Sequence, residues 1–370
     1  MKKLNVGLVR ARNIVEIVTA ISDREGISRA EIADRAGVSV MTVSNIMEVL
    51  LRNGAVYETE QRTENVGRNP ALVYFSKTKW MIVINLCDWN MSASFMNLQI
   101  ESFEDVEQAY DKDISYMENL VRFLNRLHER VDGLGLDEDE CLGISVCLPS
   151  VYKQETDSTE SLSIPPLSEI PIKATIRKYF GCTVLAGAAV QLAGLACNAK
   201  LKQCIPYSML YLYQGKTVRG ALLNEGNVIL GTNSYAGDMG QMEMAGGRRL
   251  DSILTELYGK MEVLAREKGI TLDLLWDEAD AQDMLDEYVT AMGAALYNAS
   301  CVFSPHTIVL DGGCVRLGRQ LAQRLTDYVH PRIQPDSRHK PEVRLSAAPV
   351  DNSMVGAGIR LREKWIKELN

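Results

Sequence analysis

The sequence is poor in the residues that build metal centres and disulfide frameworks. Only four histidines occur (His128, His306, His330 and His339), none at metal-ligand spacing, and the eight cysteines include no Cys-x-x-Cys pair. Cys301, His306 and Cys314 share one stretch, yet nothing in their spacing demands a common ion. No zinc site is expected, and scattered cysteines among apolar neighbours read as buried, reduced thiols of a cytoplasmic protein. Long hydrophobic runs are also lacking: none approaches the ~18 residues needed to span a bilayer. Lys2 and Lys3 are followed by a stretch broken by Arg10, Arg12 and Glu16, so a secretory leader is not expected.

What is present is an ordinary globular composition, 46% apolar and 24% charged over 370 residues, with length for two or three domains. The net charge of −8 argues against nucleic acid only on average. Residues 1–79 carry 12 Lys/Arg against 9 Asp/Glu, whereas the rest carries 28 against 39. DNA affinity depends on cations local to the contact face, so a mildly basic head on an acidic body is compatible with it.

Three helices are legible before residue 55. The first spans Ala11 to Asp23, with Ile14, Val15, Val18 and Ile21 at helical spacing. Ser28-Arg29-Ala30-Glu31 is a capping box, continued by Ile32 to Ala36 and closed at Gly37. Gly37-Val38-Ser39 leads into a third helix capped by Ser39 and stopped at Asn53-Gly54. Val43, Ile46, Met47 and Leu50 lie at i, i+3, i+4 and i+7 and must face a core, which turns Met41, Thr42, Ser44 and Asn45 outward. In a helix-turn-helix that is where base edges are met. Asn45 can pair with adenine, Met41 can reach a thymine methyl, and Thr42 and Ser44 suit phosphates or bases. Ala55-Val56-Tyr57 and Leu72 to Phe75 read as strands around a polar loop, a wing whose Gly67-Arg68-Asn69-Pro70 offers an arginine to a minor groove. The expected DNA contacts are Arg10, Ser28, Arg29, Ser39, Met41, Thr42, Ser44, Asn45 and Arg68.

From Trp80 strands and helices alternate. Met81 to Leu86 and Ala93 to Leu98 read as a hairpin, Tyr116 to Val131 as an amphipathic helix and Cys141 to Val146 as a buried strand. Ser208 to Tyr213, Ala221 to Leu223 and the turn Asn224-Glu225-Gly226 repeat the hairpin start, which suggests a duplicated α/β unit. Asp137 to Glu140 reads as a solvated loop, and Met239, Met242 and Met244 as gap fillers.

Across nearly its whole length the chain resembles the ROK family of repressors, open reading frames and sugar kinases. The landmarks are Ser28 to Ala33, Gly37-Val38-Ser39, Thr42-Val43-Ser44 and Gly67 to Pro70 in the head. In the body they are Gly143 to Pro149, Tyr179-Phe180-Gly181, Ala236 to Gln241, Ile308 to Gly313 and Val355 to Gly358. The resemblance implies an α/β chain with an N-terminal winged helix-turn-helix (1–78) and a two-lobed actin-like ATPase (ribonuclease-H-like) body. Its lobes span 79–200 and 201–353, with a C-terminal helix, about 354–370, packing back on the first. It also implies a homodimer or higher homo-oligomer on double-stranded, palindromic DNA, with a small-molecule effector in the body.

Departures from the family's kinase pattern are equally informative. The family's Asn-Asp pair, whose aspartate is the base towards a sugar hydroxyl, falls on Ala188 and Ala189, so no catalytic residue is expected there. The first phosphate loop reads Asp88-Trp89-Asn90-Met91 without glycine, and the second, Gln214 to Gly220, keeps two glycines. The family's zinc-binding histidine falls on Gln241, with Met242 to Arg249 replacing its cysteines. Asp238 stands for a glutamate and Pro166 for an asparagine of the sugar pocket. No enzyme activity and no cofactor are expected; effector contacts are Gly215, Gly237, Asp238, Gln241, Gly312 and Gly313. The competing expectation is an active sugar kinase with an added DNA-binding head.

Overall fold

The computed structural model describes residues 6–24, 26–60, 71–161, 163–201, 207–335, 338–346 and 352–369. Arg68 and its neighbours Gly67, Asn69 and Pro70 lie outside these residues.

The N-terminal head holds α1 (Val6–Asp23), β1 (Ile27–Ser28), α2 (Arg29–Ala36), α3 (Val40–Arg52), β2 (Val56–Glu60) and β3 (Ala71–Phe75). Helix α1 starts earlier than the Ala11 that its apolar spacing suggests. The capping box at α2 is complete: the Ser28 hydroxyl accepts from the Glu31 N–H (3.3 Å), and the Glu31 carboxylate accepts from the Ser28 N–H (3.0 Å). Gly37 ends the helix in the left-handed region (φ 63°), where a side chain would be strained. Strands β2 and β3 form an antiparallel hairpin, and β1 adds to its β3 edge.

The body repeats one arrangement twice. The first half runs β4 (Trp80–Asn85), β5 (Met91–Asn97), β6 (Ser102–Gln108), α4 (Tyr116–Gly133) and β7 (Cys141–Leu148). A small ribbon of β8 (Tyr152–Lys153) and β9 (Ser158–Thr159) follows, then α5 (Ile172–Ile176), β10 (Val184–Ala188) and α6 (Ala189–Leu201). The second runs β11 (Ser208–Gln214), β12 (Val218–Asn224), β13 (Asn227–Ile229), α7 (Leu250–Lys268), α8 (Gln282–Phe303) and β14 (Thr307–Gly312). It ends with α9 (Gly318–Val329), β15 (Glu342–Leu345) and α10 (Asn352–Lys367).

The sheet orders are β10-β7-β4-β5-β6 and β13-β12-β11-β14-β15. In each, three antiparallel strands are extended by two parallel ones, with Ile82 opposite Ile144 and Leu210 opposite Ile308. Met81 to Ile84 are buried throughout, as a strand covered on both faces requires.

The last helix of each half packs across to the other half. Helix α6 lies on β11 and β12, with Ala193 and Cys197 among Met209, Tyr211 and Leu223. Helix α10 lies on β4 and β7, with Ala357 and Leu361 among Met81, Val83 and Leu142. The two helices meet so closely that a Cβ on Gly356 would stand 1.7 Å from the Leu192 carbonyl oxygen. Only glycine allows that approach of one backbone to another.

The core beneath α10 continues into the head. Ile14, Ile17, Ile21, Met47 and Phe75 belong to one apolar cluster with Met81, Leu98, Leu361 and Ile366. Each such side chain contributes roughly 1.5–3 kcal/mol when fully buried, so the head is fixed to the body rather than tethered. At the centre of that junction Arg362 is buried. Its Nη1 donates to the Ser22 hydroxyl (3.1 Å) and the Leu98 carbonyl (2.7 Å), with the Phe75 ring 5.7 Å from its guanidinium carbon. Burial pulls its pKa down to about 10.

Candidate nucleic-acid interface and inter-lobe site

Helix α3 sorts its residues by period. Val43, Ile46, Met47 and Leu50 are buried, while Val40 and Met41 are 53% and 75% exposed. Asn45 is exposed, and Thr42 and Ser44 are half-buried. Val40 and Met41 are thus two adjacent large apolar side chains left open to water at the start of the helix. Met41, Thr42, Ser44 and Asn45 are therefore brought together on the outward N-terminal half of one helix. The sequence pattern passed over Val40, which falls on the buried stripe by period, three residues before Val43, yet is exposed at the first position of the helix. Glu48, one turn beyond Asn45, is exposed as well.

The remaining expected contacts behave differently. Arg10 is exposed on α1. Ser28 is only 9% exposed and its hydroxyl is engaged in the capping box. Arg29 grips Glu58 through two contacts of 2.6 and 3.0 Å, tying the start of α2 to β2. The Ser39 hydroxyl accepts from the Thr42 N–H (3.1 Å) and shares a hydrogen bond with the Thr42 hydroxyl (2.9 Å). Ser28 and Arg29 are thus fasteners within the head, a role that the sequence does not reveal for Arg29 because Glu58 lies 29 residues away.

In the body, the turn from β11 to β12 is closed on itself. The Gly215 N–H donates to the Thr217 carbonyl (3.0 Å), and the Val218 N–H donates to the Asp251 carboxylate (2.7 Å). Where a phosphate-binding loop aims N–H groups at an anion, one of these already faces a carboxylate. Arg219 pairs with Asp238 at 3.0 Å, both largely shielded from water. Gly237 approaches Gly220 backbone to backbone, for a Cβ on Gly237 would stand 2.6 Å from the Gly220 carbonyl oxygen. Gln241 is exposed.

Gln214 lies opposite Gly312 in the β11–β14 register, which brings Gly215, Gly312 and Gly313 to one end of the second sheet. There Asp311 accepts from the Tyr211 hydroxyl (2.6 Å), the Asn352 amide (3.2 Å) and the Gly312 N–H (2.7 Å). Burial, with Asp311 beside it, pushes the Tyr211 hydroxyl well above its ordinary pKa.

Ala188 is buried and Ala189 half-buried where β10 passes into α6; neither bears a group that can accept a proton. Trp89 leaves the β4–β5 turn to pack its ring 4.7 Å from Tyr110 and 6.1 Å from Tyr116, centre to centre. The halves touch through Gln191, whose amide donates to the Ser234 carbonyl (3.2 Å). The Tyr235 hydroxyl also donates to Glu160 (2.6 Å), which is paired with Lys153. No thiol or imidazole lies between Gln241 and Arg249, so this donor set does not fit zinc.

A family model described as the ROK family matches residues 102–364. The chain belongs to the ROK family. The ROK match covers the body from β6 to α10 and leaves the head outside it. Among curated relatives, the xylose repressor of Bacillus spizizenii is 23% identical over 342 residues, covering 84% of each chain. Among solved structures, a ROK family transcriptional regulator, a homologue of the E. coli MLC protein, superposes with a TM-score of 0.75. It is 16% identical and covers 98% of both chains, so the likeness of fold extends over the head. The ROK hexokinase of Thermus thermophilus superposes with a TM-score of 0.62 at 15% identity, over 76% of this chain and 97% of its own. The two halves are therefore those of the sugar-kinase-like, actin-type fold.

Proposed function

We propose that this protein is a sequence-specific transcriptional repressor. Its winged helix-turn-helix spans residues 1–78, and its two lobes span 79–200 and 201–353, with a C-terminal helix at about 354–370. The observation that carries the reading is the outward face of α3, where Met41, Thr42, Ser44 and Asn45 project beyond a tight turn. Two such heads on a homodimer read a palindrome whose half-sites lie about one helical turn or a multiple apart. Arg10 contacts phosphate, and Arg68 reaches the minor groove. The names of the relatives, a xylose repressor and a ROK transcriptional regulator, support the same class.

In this reading the body has lost phosphoryl transfer and keeps a binding role. Ala189 supplies no base, and Asp251 puts negative charge at the loop where a nucleotide phosphate would sit. The inter-lobe cleft holds an effector among Gly215, Gly237, Asp238, Gln241, Gly312 and Gly313, and the name of the xylose repressor favours a sugar. No metal or other cofactor takes part.

Enrichment of a random duplex library on the purified protein tests the proposal. A two-fold symmetric sequence is expected to emerge and to lose affinity steeply with salt. Recovery of no sequence above background overturns it. The fold shared with a hexokinase motivates the second arm, ATP with a panel of hexoses. Appreciable turnover there replaces the inactive body with a working kinase.

A further inference from the structure

A second cleft, of about 280 Å³, lies between α6, α10 and the turn joining β12 to β13. Its lining includes Gln191 and Leu195 from α6, Asn227 and Leu230 from the hairpin, and Arg360 and Lys364 from α10. None of the positions matched to the family's sugar machinery (Pro166, Ala188, Ala189, Asp238 and Gln241) lines it.

Arg360 sets its chemistry. The side chain is half-buried, and among the described residues it makes one hydrogen bond, from Nη1 to the Ala186 carbonyl (3.2 Å). No carboxylate among the described residues pairs with it. Glu363, the acid on the same face, is taken by Lys367 at 3.1 Å, and Lys364 is held by Glu368. Room for the guanidinium is built into the chain, because a Cβ on Gly187 would stand 2.6 Å from Nη1. Burial lowers the pKa of Arg360, against the opposing pull of Tyr152 and Cys147 nearby. A half-buried guanidinium whose remaining donors are open to the cleft's water suits a group that accepts two parallel N–H bonds, a carboxylate or phosphate.

We infer that this cleft is an oxyanion site for a small anionic metabolite. One acidic group meets the Arg360 fork, polar atoms meet Gln191 and Asn227, and the carbon frame lies against Leu195 and Leu230. Its volume, about 280 Å³, falls just below the roughly 300–1,000 Å³ of ordinary ligand sites, so the occupant is small. Because the hairpin wall belongs to the second sheet and α10 lies on the first, occupancy bridges the two halves.

Calorimetric titration of the full-length protein with glucose 6-phosphate, glucuronate, inorganic phosphate and neutral glucose tests this. At least one organic anion is expected to bind, and neutral glucose to bind with the same affinity to wild type and variants. Arg360→Met is expected to weaken the anion by at least about tenfold, with Arg360→Lys in between. If Arg360→Met does not fold, Leu230→Trp fills the cleft from an exposed hairpin position and carries the same expectation. Binding of inorganic phosphate that Arg360→Met removes supports the oxyanion as the recognised group. No binding by any of the three anions, or anion binding unchanged in the folded variants, overturns the inference. It stands apart from the DNA-binding reading, since neither outcome depends on an operator.

Discussion

Arg362 donates from α10 to the Ser22 hydroxyl on α1 at 3.1 Å, across 340 residues of sequence. Its Nε has no partner among the described residues, and its other partner is a main-chain carbonyl, so its buried charge is offset only through space, by Glu363 and Asp23. Such a group orients rather than stabilises: removing it relieves desolvation while losing hydrogen bonds.

Arg362→Met is therefore expected to leave unfolding free energy within about 1–2 kcal/mol of wild type. Arg362→Ala opens a cavity as well and costs on the order of 3 kcal/mol. Its folded pKa lies below the unfolded one, so the burden of the charged form is fully present below about pH 10. It is relieved only as pH rises through that value. The difference between wild type and Arg362→Met should thus be flat at neutral pH and shift towards wild type above it. Denaturant titrations at several pH values check both statements.

Gly356→Ala places a methyl group against the Leu192 carbonyl. Helices α6 and α10 have to separate, which is expected to cost about 3 kcal/mol or more in urea or thermal unfolding. Retention of wild-type stability would show that the helix pair yields where the close contact suggests it cannot.

The capping box offers a local test. Ser28→Ala should cost about 1 kcal/mol, read by denaturant midpoint. Hydrogen bonds from the Ser28 main chain and hydroxyl hold the Glu31 carboxyl below its ordinary pKa. That contribution is present above the unfolded pKa and is lost as pH falls through the folded one. Glu31→Gln is accordingly expected to flatten the acid limb of the stability profile.

On DNA, α3 and Arg29 should separate cleanly. Asn45→Ala is expected to lose about 1–3 kcal/mol of discrimination at one base pair. Arg29→Met should leave the slope of log affinity against log salt unchanged, because Glu58 rather than phosphate holds that guanidinium. A slope reduced by about one would return Arg29 to the phosphate contacts.

What the sequence made legible was local or periodic. The Ser28–Glu31 box spans three positions, the buried stripe of α3 repeats every three or four, and the apolar runs of β4 and β7 need no partner to be recognised. The duplicated hairpin start at β4 and β11 was visible for the same reason. What stayed hidden required two distant segments at once. Val355 to Gly358 stood out as a motif, but the need for Gly356 appears only when Leu192 is set against it. Likewise the Arg219 partner of Asp238 lies 19 residues away, and nothing near Val218 announces Asp251. Strand β1, two residues long, carries no pattern that a window can detect.

The apolar floor shared by α1, α3 and α10 also sets an order of events during synthesis. Domains near the N-terminus usually finish folding while the ribosome is still adding residues. Here the side chains that close the head's core, Leu361 and Ile366, are made after both body sheets have been specified. A chain cut before α10 would leave the part of the head's apolar cluster that Leu361 and Ile366 cover open to water.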